Sequence, residues 1–148
     1  MKSILPVVAA VLMGILGTAC DREEAIESVN TRVMEATIYR NQWNDDGSDY
    51  LWKTFDWDAI TPEVLAYGTV TGYVYDGARQ CPLPHILPIS YQLTSGDIAF
   101  VPENLRFDME PGKITFIMQD LDGGMPYDIQ TDLTFRVVAT VPVQYVLD

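Results

Sequence analysis

Cys81 and His85 are the side chains best suited to covalent chemistry in this chain. They stand four residues apart in Cys81-Pro82-Leu83-Pro84-His85, and His85 is the sole histidine. A thiol beside an imidazole is a nucleophile with its base, and the same pair supplies two metal ligands. Two ligands make a poor metal site, and a partly covered loop cysteine beside a surface histidine accounts for the spacing more simply. Asp45, Asp46 and Asp49 cluster as the hard oxygens that Ca²⁺ prefers, and Asp120, Asp122 and Asp128 flank Gly123-Gly124 in a second loop. Neither set has the spacing of a twelve-residue calcium loop, and both read first as solvated turns. No glycine-rich phosphate loop, HExxH or GxSxG motif is present. The residues therefore assign no catalytic group, no metal and no cofactor, and the expectation is a protein that is not an enzyme.

The aromatic side chains are the richer set. Trp43, Trp52, Trp57, Tyr73 and Tyr75, with Tyr39 and Tyr50 nearby, are the candidate binding residues. Aromatic faces stack on the apolar C–H surfaces of sugars and also anchor protein interfaces. In a β-fold some of them must be core. Alternation divides them, with Tyr50 and Trp52 on one face of a strand and Phe55 and Trp57 on the other.

The chain has 148 residues, with 9 Lys+Arg against 21 Asp+Glu and a net charge of −12. So acidic a chain repels phosphates, which excludes nucleic acid as a partner. At 48% hydrophobic and 20% charged residues the composition is that of one globular domain. The N-terminus reads as an address. Lys2 precedes an apolar run at 4–16, shorter than the roughly 18 residues a spanning helix needs. Leu16-Gly17-Thr18-Ala19-Cys20 follows and resembles the lipobox of bacterial lipoproteins, although the large aliphatic residue sits one place further out than usual. That resemblance implies a signal peptide at 1–19, cleavage before Cys20 and lipidation of its thiol. Two or more acyl chains make such an anchor stable, at about 0.8 kcal/mol per buried CH₂.

Residues 20–31 read as an acidic tether. Asp21-Arg22-Glu23-Glu24 resembles a surface-export signal of Bacteroidales-type lipoproteins, or alternatively an inner-membrane retention signal of enteric bacteria. From 32 to 148 strand signals dominate. The stretches 32–39, 50–57, 69–75, 89–93, 105–109, 114–118 and 133–141 alternate or carry β-branched and aromatic residues. Asp46-Gly47 marks a tight hairpin turn, and Pro111-Gly112 marks a type II turn. Thr61-Pro62-Glu63 opens one short helix, with Gly68 closing it in the left-handed conformation. Pro82, Pro84 and Pro88 exclude a central strand running through that region. About seven short strands and one helix predict a mainly β domain, an antiparallel β-sandwich of immunoglobulin-like kind.

Several segments, in order, are similar to small Bacteroidales-type lipoproteins of uncharacterised function. They are Ile60-Thr61-Pro62-Glu63-Val64, Gly68-Thr69-Val70, Tyr73-Val74-Tyr75, a Leu-Pro at 83–84 or 87–88, Glu110-Pro111-Gly112-Lys113-Ile114-Thr115-Phe116 and Phe135-Arg136-Val137-Val138. The resemblance implies a lipid-anchored β-rich domain at the outer membrane, outward-facing, with a periplasm-facing placement left open. It implies no activity. Three functions follow as expectations: a binding module for a glycan or an envelope protein, a structural subunit of a fimbria-like surface assembly, or a carboxylate-dependent glycan-processing enzyme, which nothing in the spacing supports.

Overall fold

The computed structural model describes residues 28–121 and 129–146. The strands are β1 (Val29–Ile38), β2 (Leu51–Asp56), β3 (Thr69–Asp76), β4 (Arg79–Pro82), β5 (His85–Gln92), β6 (Ile98–Glu110), β7 (Lys113–Asp120) and β8 (Leu133–Pro142). One helix, α1 (Pro62–Tyr67), lies between β2 and β3, and a 3-10 turn (Val143–Tyr145) follows β8. Two antiparallel four-stranded sheets form the sandwich, ordered β1-β8-β3-β4 and β2-β7-β6-β5. The sandwich matches expectation, as does the short helix at Thr61-Pro62-Glu63. Among the described residues there are eight strands, and the first lies beside the last, whereas the seven-stranded immunoglobulin order pairs the first with the second. Val29, Asn30 and Thr31, expected in the tether, already belong to β1. Cys20 and the rest of 1–27 lie outside the described residues.

Alternation explains why the sheets close on each other. In β8, Leu133, Phe135, Val137, Ala139 and Val141 are all buried, and the residues between them are half-exposed. In β7, Ile114, Phe116 and Met118 have no exposed surface. β7 and β8 are interior strands of their sheets, and Phe116 stacks on Phe135 with centroids 4.3 Å apart. Phe55 meets Phe116 edge-on at 6.0 Å, and Trp43 meets Phe135 edge-on at 6.4 Å. The aromatic quadrupole favours both arrangements.

The two ends of the sandwich are built differently. At one end lie the starts of β1 and β3, the end of β8 and α1. Thr61 caps α1 by accepting from Val64 N at 3.1 Å. Gly112 closes the β6–β7 hairpin at φ 77°, and its N–H donates to Ile60 O at 2.7 Å. Only glycine takes that backbone readily. Gly68 ends α1 at φ −97°, extended rather than left-handed. Its small size matters for another reason: a Cβ there would lie 2.5 Å from Thr140 O and 2.8 Å from Val64 O. Residues 39–50 close the opposite end. The Asp46-Gly47 turn is present, but β1 and β2 belong to different sheets, so it shapes a crossover and not a tight hairpin.

Pro82 and Pro88 sit where they cost no ladder bond. β4, which ends at Pro82, and β5, which carries Pro88, are both edge strands. Pro88 opposes Pro102 across the β5–β6 pair. Ser90 O accepts from Gln130 N, so the Ser90 backbone points away from β6 and the Ser90–Phe100 pair is non-hydrogen-bonded. By the two-residue period the Pro88–Pro102 pair is of the same kind.

Two substitutions test this packing. Phe135→Ala should cost about 3–5 kcal/mol in urea unfolding, because its cavity lies between the sheets. Gly68→Ala should cost about 1–3 kcal/mol, since backbone atoms must yield. An effect below about 0.5 kcal/mol for either contradicts the packing described.

Candidate functional site

The five candidate aromatics do not converge. Trp57 is buried beside α1, and Trp43 is packed on the core, so both belong to the ends of the sandwich interior. Trp43 Nε1 is buried and has no hydrogen-bond partner among the described residues. Trp52 is half-buried on the outer face of the β2-β7-β6-β5 sheet, opposite Ile117. Beside it Arg106 lies 5.6 Å over the Tyr50 ring and donates to Gln119 Oε1 at 3.0 Å.

Tyr73 and Tyr75 do come together, on the outer face of the other sheet. Both are half-buried on β3, two residues apart, with Val74 between them pointing into the core. The Tyr75 hydroxyl donates to Glu35 Oε2 on β1 at 3.1 Å. Arg136 lies between β1 and β3, in register with both Glu35 and Tyr73, and reaches Gln80 Oε1 on β4 at 3.4 Å. One face thus offers two aromatic rings, a carboxylate, a guanidinium and an amide, contributed by four strands. Ring faces take apolar C–H surface, and the flanking groups supply hydrogen bonds of both senses.

Other expected chemistry is dispersed. Cys81 is a free thiol on edge strand β4, partly buried against the core, and His85 begins β5 in the other sheet. Asp45 and Asp46 each accept a backbone N–H two residues on, from Gly47 and Ser48, both at 3.0 Å. Ser48 hydrogen bonds, side chain first, hold Asp46 below the usual carboxylate range. Asp122 and Asp128 lie outside the described residues. Among the described residues no three His, Cys, Asp or Glu side chains gather as a metal requires. A pocket of about 220 Å³ lies between β1 and α1, lined by Asn30, Arg32, Asp58, Thr61 and Glu63, with Arg32 and Asp58 paired at 2.9 Å.

Sequence reasoning missed Glu103. It is 1% exposed on the inward face of β6, opposite Leu87. Tyr91 OH donates to its Oε1 at 2.7 Å, and Oε2 has no partner among the described residues. Burial first, then the nearby Asp120 charge, push its carboxyl above the usual range, against the opposing pull of the Tyr91 bond. Burial and the same carboxyl push the Tyr91 phenol up as well. Odd-numbered alternation with Leu105 and Phe107 was the available signal, but Pro102-Glu103-Asn104 reads as a turn.

No protein-family model, no curated protein and no solved structure matches the chain.

The Glu103 environment has a pH consequence. A carboxyl whose folded value is raised stabilises the fold when protonated, and that contribution is lost as pH rises from the unfolded value of 4.5 through the folded one. Glu103→Gln keeps an acceptor for Tyr91 and removes the charge. The variant should be more stable than the parent near pH 7, by about 1–3 kcal/mol, with the difference shrinking toward pH 4. Parallel urea curves at the two pH values check this; a constant difference contradicts it.

Proposed function

We propose that this chain is a lipid-anchored cell-envelope protein whose β-sandwich is a non-catalytic binding module at the outer membrane surface. The observation that carries the binding role is the outer face built from Tyr73, Tyr75, Glu35, Gln80 and Arg136. Its rings and hydrogen-bonding groups suit a glycan: the rings stack on sugar C–H surface, and the polar groups take hydroxyls. The anchor rests on the lipobox-like Leu16-Gly17-Thr18-Ala19-Cys20 and the acidic run after it. The resemblance to Bacteroidales-type lipoproteins supports surface exposure over a periplasm-facing placement.

The layout of the domain suits an anchor. Val143 N donates to Ser28 O at 2.9 Å, so the chain enters the sandwich at the α1 end. A tether from Cys20 joins the domain there. Removing 1–19 takes away Lys2 and no acidic residue, and a body this acidic is repelled by anionic headgroups. It stands off the bilayer with its sheet faces accessible. A protein partner is the second reading, favoured by exposed apolar side chains on β5 and β6.

Two measurements test these parts separately. The mass of the mature N-terminal peptide should show acyl chains on Cys20; an unmodified thiol removes the anchor. Glycan-array binding should weaken at least tenfold in Tyr73→Ala and Tyr75→Ala. A blank array with the parent protein removes the glycan reading.

A further inference from the structure

Arg136 carries its charge away from the carboxylate opposite it. Across the β1–β8 pair it stands directly opposite Glu35, where oppositely charged residues ordinarily meet. Among the described residues the ion pairs are Arg32–Asp58 and Arg79–Asp76, and Arg136 belongs to neither. Its guanidinium instead crosses β3, the strand of Tyr73 and Tyr75, to the neutral Gln80 Oε1 on β4, at a long 3.4 Å. Glu35 is engaged the other way, by the Tyr75 hydroxyl reaching over β8. β1 and β4 are three strand intervals apart, about 14 Å at sheet spacing. The two charges are thus drawn toward opposite edges of the sheet.

Register shows what else the face holds. Inward Ile38, Val74 and Phe135 fix the parity of their strands, so Thr37, Thr71, Thr134 and Val138 share the outward side with the two tyrosines. Among the outward residues of β1, β8, β3 and β4, Glu35 and Arg136 alone are charged. In a chain of net charge −12, this face sums to zero. The guanidinium has five N–H donors in a planar fork, and the Gln80 bond uses one of them. The fork fits the two oxygens of a carboxylate, and such charge-assisted bonds are about twice as strong as those between neutral groups.

We propose that the Tyr73–Tyr75 face selects a glycan bearing isolated uronate sugars, with a sugar carboxylate on the Arg136 guanidinium and neutral neighbours stacked on the two rings. This rests on the glycan reading of the same face and names its ligand class. Spacing of the acids is part of the selection. One guanidinium matches one carboxylate, and a glycan charged on every ring meets the field of the whole acidic body. A carboxylate flanked by uncharged sugars gains the fork with the least of that repulsion, and Glu35 accepts from the hydroxyls of a neutral neighbour.

The test uses the full chain in detergent micelles and tetrasaccharides carrying glucuronate, galacturonate or mannuronate on alternate rings. Each is measured beside a copy whose carboxyls are reduced to alcohols. Isothermal titration should show at least one acidic form binding at least tenfold more tightly than its reduced copy. Arg136→Gln should bring that ratio below threefold. Tetragalacturonate, charged on every ring, should bind at least threefold more weakly than the alternating galacturonate form. The Arg136 Nε–H resonance of the unaltered protein gives a reading independent of the variant: it should shift with the acidic form and stay in place with the reduced copy. Acidic and reduced forms bound equally, or neutral glycans alone bound, overturn this inference and leave the glycan reading standing, whereas a blank array with the parent protein removes both. An acid preference that survives Arg136→Gln, an Arg136 resonance unmoved by the acidic form, or tetragalacturonate bound as tightly as the alternating form also overturns it.

Discussion

Contact between Phe116 and Phe135 is the join on which the sandwich depends. They project from β7 and β8, and their rings stack at 4.3 Å where the two sheets face each other. Neither sheet has another way to hide its apolar face, since each strand alternates and one side must leave water. Phe55, Phe107 and Trp43 pack around the pair. With the inner faces committed, the outward positions of the same strands are free to differ. Tyr73 and Tyr75 are outward because Val74 is inward, and Trp52 is outward because Leu51 is inward.

Where one residue type dominated a stretch, the fold was legible in the chain itself. β8 could be read residue by residue, because five apolar side chains recur at every second position with polar ones between them except at Val138. The α1 start was equally plain from Thr61, Pro62 and Glu63. The errors share a cause. Gly68 is small for a steric reason that arises only when Thr140 arrives from a distant strand. Strands β5 and β6 were read too short because Pro88 and Pro102 look like breaks. Both prolines fall on a non-hydrogen-bonded pair, and that depends on register, which a single strand does not reveal. The candidate aromatics were similarly mixed. Parity could divide Tyr50 and Trp52 from Phe55 and Trp57, but not foresee that Trp43 closes an end of the core or that Tyr75 reaches Glu35 across the sheet.

The same register separates the ends of the molecule. Chain entry, α1 and the 3-10 turn occupy one end. The β5–β6 extension lies at the other, beside residues 129–131 and the 39–50 crossover: Ile129 pairs with Tyr91, and Arg40 donates to Gln130 and Asp132. β1 runs ten residues between the two ends, about 33 Å at strand rise. The anchor we propose at Cys20 therefore joins the end of the domain opposite the β5–β6 turn. The Tyr73–Tyr75 face lies along the side between them.

That polarity is the central claim, and fluorescence quenching on the lipid-bearing chain in vesicles tests it directly. One dye is placed at Ser95→Cys, in the β5–β6 turn, and in a second protein at Gln144→Cys, in the 3-10 turn, both in a Cys81→Ser background. Headgroup-labelled lipid should quench the dye at 144 strongly and leave the dye at 95 bright. Equal quenching at both positions, stronger quenching at 95, or none at either contradicts a domain held by one end with its β5–β6 turn directed away from the bilayer.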